Sequence, residues 1–224
     1  MEKIIITGSK GLIGKTIVDA MKDHFEVLEL DLQLGHDLTD EKFVKSWFRK
    51  NKAKYLVNLF ASTDDITVNR KKQTLFSISL DSLDKYFRVN LTALFSVCRE
   101  FARNNKEGSI VNFSSIYGMG SPIPALYYPN HKHIGYCISK AGVIMLTKYL
   151  AVHLAPTIRV NCVVPGGIEN TQQKKFKQKY SKHVPLKRMM KVDEITGIVK
   201  YLCSDDSTYT TGAVFCIDGG WTVS

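Results

Sequence analysis

No apolar run in these 224 residues is long enough to cross a membrane. Stretches such as Ile4-Ile5-Ile6 have the length of a strand, and longer ones are interleaved with polar residues, short of the roughly 18 needed. After Met1-Glu2-Lys3 there is no basic n-region leading into a long apolar segment, so no signal peptide is predicted and the expected location is the cytoplasm. Cysteine is scarce and unpaired. The five residues, at 98, 137, 162, 203 and 216, are odd in number, form no C-x-x-C and sit mostly in apolar segments, which reads as buried free thiols. Histidine offers no metal site either: there is no H-E-x-x-H, and His131 and His133 have no further ligands nearby, so no metal is expected. Acidic residues are in deficit, 21 against 31 lysines and arginines, a net charge of +10. No nucleic-acid recognition motif accompanies that charge. The excess is read as a lysine-rich surface that attracts anionic ligands, such as a dinucleotide or a phosphorylated substrate. Its densest run, Lys174–Lys179, has helical spacing and reads as a solvated helix face. Repeats, linkers and low-complexity segments are also missing, so one domain spanning 1–224 is predicted.

What is present is alternation. Apolar β-branched runs predict strands at 3–7, 25–31, 54–60, 108–114, 157–164 and 213–218. Helical periodicity predicts helices at 11–23, 39–51, 80–104, 136–155 and 192–204, the second capped by Asp37 or Thr39. Residues 61–79 read as a polar irregular segment, and 116–135 as a proline- and aromatic-rich loop. Strict β/α alternation predicts an α/β fold of Rossmann type, a doubly wound parallel sheet with helices on both faces.

The first βα turn reads Thr7-Gly8-Ser9-Lys10-Gly11-Leu12-Ile13-Gly14. Its glycines allow a tight turn and close approach to a pyrophosphate, and the next helix offers unpaired N–H groups to the phosphates. Asp31 ends the second strand, where a carboxylate accepts from the adenosine ribose hydroxyls and repels a 2′-phosphate. That favours NAD(H). Lys10 pulls the other way and leaves NADP(H) open. Asp37 and Leu38 fall where an adenine ring would rest.

Tyr136 and Lys140 stand at i and i+4, on one face of a helix. A phenol titrating near 10 is a poor base at neutral pH, and a nearby ammonium is expected to lower that value. The phenol then exchanges a proton with a substrate oxygen while a nicotinamide carries the hydride. A second Tyr-x-x-x-Lys match, Tyr128 to Lys132, contains Pro129 and suits a loop better than a helix interior.

Taken together these segments resemble the short-chain dehydrogenase/reductase family over nearly the whole chain. Gly108–Ser115 resembles the strand that ends in the family's catalytic serine, with Ser115 at the matching position. Val89-Asn90-Leu91 matches the asparagine that holds a proton-relay water, and Tyr136 and Lys140 match the acid/base and its partner, which also contacts the nicotinamide ribose. Pro165, Gly166 and Ile168 lie in a segment similar to the one beside the nicotinamide, and Thr210–Gly212 with Ile217–Gly220 resemble the usual C-terminal ending. The resemblance implies a dimer or tetramer paired through the two long helices. Three features depart from the family pattern. The glycine spacing T-G-x-x-G-x-x-G is more typical of the branch that holds sugar-nucleotide epimerases and dehydratases. The segment Asn58-Leu59-Phe60-Ala61-Ser62 replaces the usual Asn-Asn-Ala-Gly. Ser115 precedes Tyr136 by a longer interval than usual, and Tyr128 stands at the shorter one. Residues 119–135 are accordingly expected to hold an insertion that forms a substrate lid or wall, with Tyr127, Tyr128, His131 and His133 as candidate substrate contacts. The loop length and the Pro165–Asn170 ending resemble members from bacterial surface-sugar pathways, which implies a sugar-derived and anionic small-molecule substrate. The implied activity interconverts a secondary alcohol and a ketone. An NAD-retaining epimerase or dehydratase, and a non-catalytic dinucleotide-binding redox sensor, are the alternatives.

Overall fold

The computed structural model describes residues 1–63 and 74–224. Most of the segment expected to be irregular at 61–79, residues 64–73, therefore lies outside the described residues. The chain runs β1 (Lys3–Thr7), α1 (Leu12–Met21), β2 (Glu26–Leu30), α2 (Glu41–Lys50), β3 (Tyr55–Asn58), α3 (Leu80–Phe87) and α4 (Leu94–Asn104). It continues with β4 (Gly108–Phe113), α5 (Pro124–Tyr127), α6 (Ile134–Leu154), β5 (Ile158–Pro165), α7 (Lys174–Lys182), α8 (Thr196–Leu202) and β6 (Val214–Ile217).

Six strands form one parallel sheet in the order β2-β1-β3-β4-β5-β6. The four inner strands β1, β3, β4 and β5 are buried on both faces and read as continuous apolar runs, while the edge strands β2 and β6 are only half-buried. Side chains alternate across the pleat. Ile5, Leu56 and Val160 join the core beneath α2, α4 and α6, while Ile4, Ile6, Val57 and Val163 join the core beneath α1 and α8. The chain order reverses between β1 and β3, and a ligand crevice opens beyond the carboxyl ends of strands at such a point. A buried polar chain crosses the middle of the sheet. Asn58 Nδ2 donates to Asn112 Oδ1 (2.9 Å), and Asn112 Nδ2 donates to Thr147 Oγ1 on α6 (3.0 Å). Asn58 thus keeps a structural place even though the residues after it depart from the family pattern.

Four details differ from the sequence reading. The cap of α2 is Asp40, which accepts from Lys42 N and Phe43 N, rather than Asp37 or Thr39. Asp37 instead folds onto Thr39, accepting from its N and Oγ1. The predicted helix 80–104 is interrupted by a π-helical turn at Arg88–Ala93, which divides it into α3 and α4. The loop 116–135 contains α5, and α6 starts two residues earlier than predicted. That early start has a cause: His133 caps it, its Nδ1 accepting from Gly135 N (3.0 Å). Fourth, α6 is long and apolar enough by composition to span a membrane, yet it packs on β5 and carries the buried Ser139, Lys140 and Thr147 on its inner side. Its outer side exposes Ile138, Met145, Tyr149 and Val152. Of the cysteines, Cys98, Cys162 and Cys203 are buried, Cys137 is half-buried and Cys216 is exposed; all five are free thiols.

Candidate active site

The site assembles at the carboxyl ends of β1, β2, β4 and β5. On its first side the chain leaves β1 through Gly8, at φ +66°, where a Cβ would stand 2.6 Å from Phe60 N. A Cβ at Gly14, in the first turn of α1, would stand 2.1 Å from Gly8 O. Only hydrogen fits at either place, so the loop lies flat against β3 and α1 starts directly above it. Gly11 caps α1 with extended backbone and no side-chain partner, which leaves the N–H groups of Leu12 and Ile13 directed outward from the helix start. A helix start of this kind is able to receive an anionic group in this glycine cradle.

Asp31 closes the other end of this cradle and is 8% exposed. Its Oδ2 accepts from Lys10 N (2.9 Å) and its Oδ1 from Gln33 N (2.8 Å). Two backbone donors fix the carboxylate at the loop, and its remaining lone pairs stay available to hydroxyl donors. The side chain of Lys10 turns away to Glu29 Oε2 (2.5 Å). That bond, more than any other influence, holds the Glu29 carboxyl below its usual range. Leu38 is buried in the core beneath α2, while Asp37 is exposed and bonded to Thr39, which lowers its pKa.

On the second side, β4 delivers Ser114 and Ser115. Ser114 Oγ donates to Lys140 O (2.6 Å) and Ser115 caps a short 3₁₀ turn by accepting from Tyr117 N (3.2 Å). A Cβ at Gly118 would meet Lys140 C at 2.7 Å, so this turn is pressed onto α6. Ser115 is thereby placed beside the Tyr136 phenol. Burial pushes the Tyr136 hydroxyl up, and the neighbouring Ser115 hydroxyl opposes it. Lys140 is 5% exposed, and its Nζ donates to Phe113 O (2.8 Å). Burial without a carboxylate partner brings its pKa down to about 8. Its Nζ lies 5.8 Å from the Tyr136 ring centroid. The expectation that the lysine ammonium lowers the tyrosine is thus corrected. Desolvation is the larger influence on Tyr136, and the ammonium is anchored on a main-chain carbonyl.

Asn90 sits in the π-helical turn, buried, with Oδ1 accepting from Ser62 N (2.6 Å). Its Nδ2 donates to Ser139 Oγ (2.9 Å), which in turn donates to Tyr136 O. It ties the segment after β3 to the first turn of α6, and so holds the turn that carries Tyr136.

Of the four aromatic and histidine candidates, Tyr127 and His133 turn inward, and of these only Tyr127 joins the other aromatic rings near the site. Its hydroxyl bonds that of Tyr117 (2.6 Å) and its ring lies against Phe176 of α7. His133 is committed to capping: Nε2 contacts Ser82 Oγ (3.0 Å) and the ring stacks on Tyr86. Tyr128 and His131 are on the exposed surface. Sequence reading missed an aromatic wall formed by Tyr117, Phe176, Tyr180 and Trp221. The spacing of Phe176 and Tyr180 among the lysines of α7 was its only local signal. Tyr180 also accepts from Gly167 N (2.5 Å), beside a cavity of about 110 Å³ bordered by Gly166, Tyr180 and Asp218. Pro165 ends β5 there, and Ile168 bridges to Met190. Sequence reading also missed Lys132. The lysine of the rejected second match places its Nζ 4.3 Å from the Tyr136 ring centroid.

Comparison with known proteins agrees with this geometry. The family model for enoyl-(acyl carrier protein) reductase matches residues 9–222. The chain is 30% identical to the 3-oxoacyl-(acyl-carrier-protein) reductase FabG of Aquifex aeolicus, covering 97% of this chain and 86% of that one. It is 32% identical to nodulation protein G of Rhizobium meliloti, covering 97% and 96%. A short-chain dehydrogenase from Leptospira borgpetersenii, solved with bound NAD+, superposes with a TM-score of 0.88 at 30% identity over 99% of this chain and 93% of that one. The protein belongs to the short-chain dehydrogenase/reductase family. It is an oxidoreductase of the kind that acts on CH–OH groups and uses a nicotinamide dinucleotide.

Proposed function

We propose that the protein interconverts a secondary alcohol and a ketone using NAD(H), with Tyr136 as general acid/base. The observation that carries this is the meeting of Ser115, Tyr136 and Lys140, contributed by β4 and α6, at one end of the sheet. The glycine loop from Gly8 to Gly14 would hold the pyrophosphate, and Asp31 the adenosine ribose. Asp37 and Leu38 would border the adenine, while Lys140, Pro165, Gly166 and Ile168 would border the nicotinamide half. When bound, the nicotinamide gives or accepts the hydride.

In the reductive direction the Tyr136 hydroxyl gives its proton to the substrate oxygen. Ser115 donates a hydrogen bond to the same oxygen and stabilises the charge that develops there. Lys140, anchored on Phe113 O, would reach the nicotinamide ribose. Asn90 has its side chain committed, so the water of the proton relay would bind a main-chain carbonyl freed by the π-helical turn. A bound NAD+ in the Leptospira relative, and a carboxylate held at the ribose position, support NAD(H) over NADP(H). The wall of Tyr127, Phe176 and Trp221 beside the lysines of α7 suits a sugar-derived substrate bearing an anionic group. The reductase and dehydrogenase relatives give the epimerase and redox-sensor alternatives no support. The exposed apolar side of α6, with Phe95 on α4, supports pairing of two copies through these helices.

The test is NADH oxidation by the protein over a panel of ketones that includes phosphorylated ketoses. Tyr136→Phe should lower kcat by about 10²–10⁴ while leaving NADH binding intact. A variant that turns over as fast as the parent refutes the assignment.

A further inference from the structure

The first turn of the fold carries a charge arrangement that the motif alone does not require. Lys10 stands in the glycine loop, where its ammonium could meet a dinucleotide bearing a 2′-phosphate. Its Nζ instead lies 2.5 Å from Glu29 Oε2, and both side chains are 29% exposed. Glu29 is on β2, two residues before Asp31, so it lies on the same side of the strand. Lys10 is thus bound twice to the end of β2: its main-chain N–H to Asp31 and its side chain to Glu29. Two carboxylates therefore face one lysine at the place where the ribose would rest, and the local charge is negative.

We propose that Glu29 is a cofactor-specificity residue: by holding the Lys10 ammonium it withholds the one cation of the loop from a 2′-phosphate. Asp31 excludes the phosphate by repulsion, and Glu29 excludes it by neutralising its natural counter-charge. The two carboxylates act on one ligand group by different means. This inference rests on the reading that a dinucleotide binds with its ribose at Asp31.

The experiment is a titration of NADH and NADPH by nicotinamide fluorescence into the parent, Glu29→Gln, Lys10→Gln and the double variant, with melting temperatures recorded for each. Glu29→Gln frees the ammonium and removes one negative charge. NADPH affinity should rise roughly tenfold, the order of one hydrogen bond to a charged group. NADH affinity should hold. Because the gain is electrostatic and partly exposed, it should shrink at high salt. Lys10→Gln in the Glu29→Gln background should abolish it, which separates release of Lys10 from simple loss of a carboxylate. Glu29→Ser gives the same reading if the glutamine variant folds poorly. An unchanged NADH-to-NADPH ratio in a folded Glu29 variant overturns the inference and leaves the site reading standing. A gain that survives in the double variant also overturns it. A parent protein that binds neither dinucleotide overturns both.

Discussion

Replacing Lys140 by methionine separates what this residue does for the chemistry from what it does to the fold. Its pKa falls from the usual 10.5 to about 8 because the ammonium is buried with no carboxylate beside it. At about 1.4 kcal/mol per pH unit, the charged form costs the folded state about 3 kcal/mol. Lys140→Met removes that cost but leaves Phe113 O without its side-chain donor, a loss of roughly 1–3 kcal/mol. At pH 7 the two effects nearly cancel, so a single melting temperature decides nothing, and the pH dependence is the informative quantity. The unfolded chain keeps the Lys140 proton up to about 10.5, whereas the folded chain releases it from about 8 upward. Between those values the unfolded state binds more protons, so the parent gains stability as pH rises, by about 3 kcal/mol in total. Lys140→Met lacks this gain. Urea unfolding of both proteins between pH 7 and 10.5 gives the difference curve, in which every other titrating group cancels. The parent should climb relative to the variant across that window, and the variant should lose turnover throughout. A flat difference curve refutes the claim that the ammonium is buried uncompensated.

Gly14→Ala would place a Cβ 2.1 Å from Gly8 O, so the loop must move by an ångström or more. The expected result is a loss of about 1–3 kcal/mol, with dinucleotide binding weakened far more than stability. Parent-like NADH binding by fluorescence titration would count against the cradle. Asp40→Ala removes the cap of α2 and should cost about 1 kcal/mol, a fall of about 2–4 °C in melting temperature, whereas Thr39→Ala should cost less. Met145→Arg places a charge on the exposed apolar side of α6; sedimentation should show the assembly dissociating, and an unaltered sedimentation coefficient for an oligomer would rule that side out as the interface.

Much of the molecule was legible in one dimension. The six strands follow from short apolar runs and, at 25–31, from an alternating segment. The glycine loop was readable because Gly8 and Gly14 occupy places where a Cβ has no room. Tyr136 and Lys140 were readable because helix geometry fixes what i and i+4 can do together. Alternation of β and α patterns was enough to set the three layers, since parallel strands buried on both faces need helices above and below.

Tertiary structure decided the partners. The cap of α2 went to Asp40 because a cap requires a side-chain oxygen aimed at particular N–H groups, which three neighbouring candidates cannot be ranked for by type. His133 capped α6 although histidine is a rare cap, because Tyr86 and Ser82 hold its ring in place from α3. The π-helical turn at Asn90 leaves no mark on periodicity, and Lys132 of the rejected match came over the Tyr136 ring only through the fold of its loop. Lys10 met Glu29, and Lys140 met Phe113 O, across gaps of 19 and 27 residues. Composition and periodicity record which residues are buried and on which face. They do not record which distant group a charge will meet: Glu29 for Lys10 and the Phe113 carbonyl for Lys140 are set only when the chain folds.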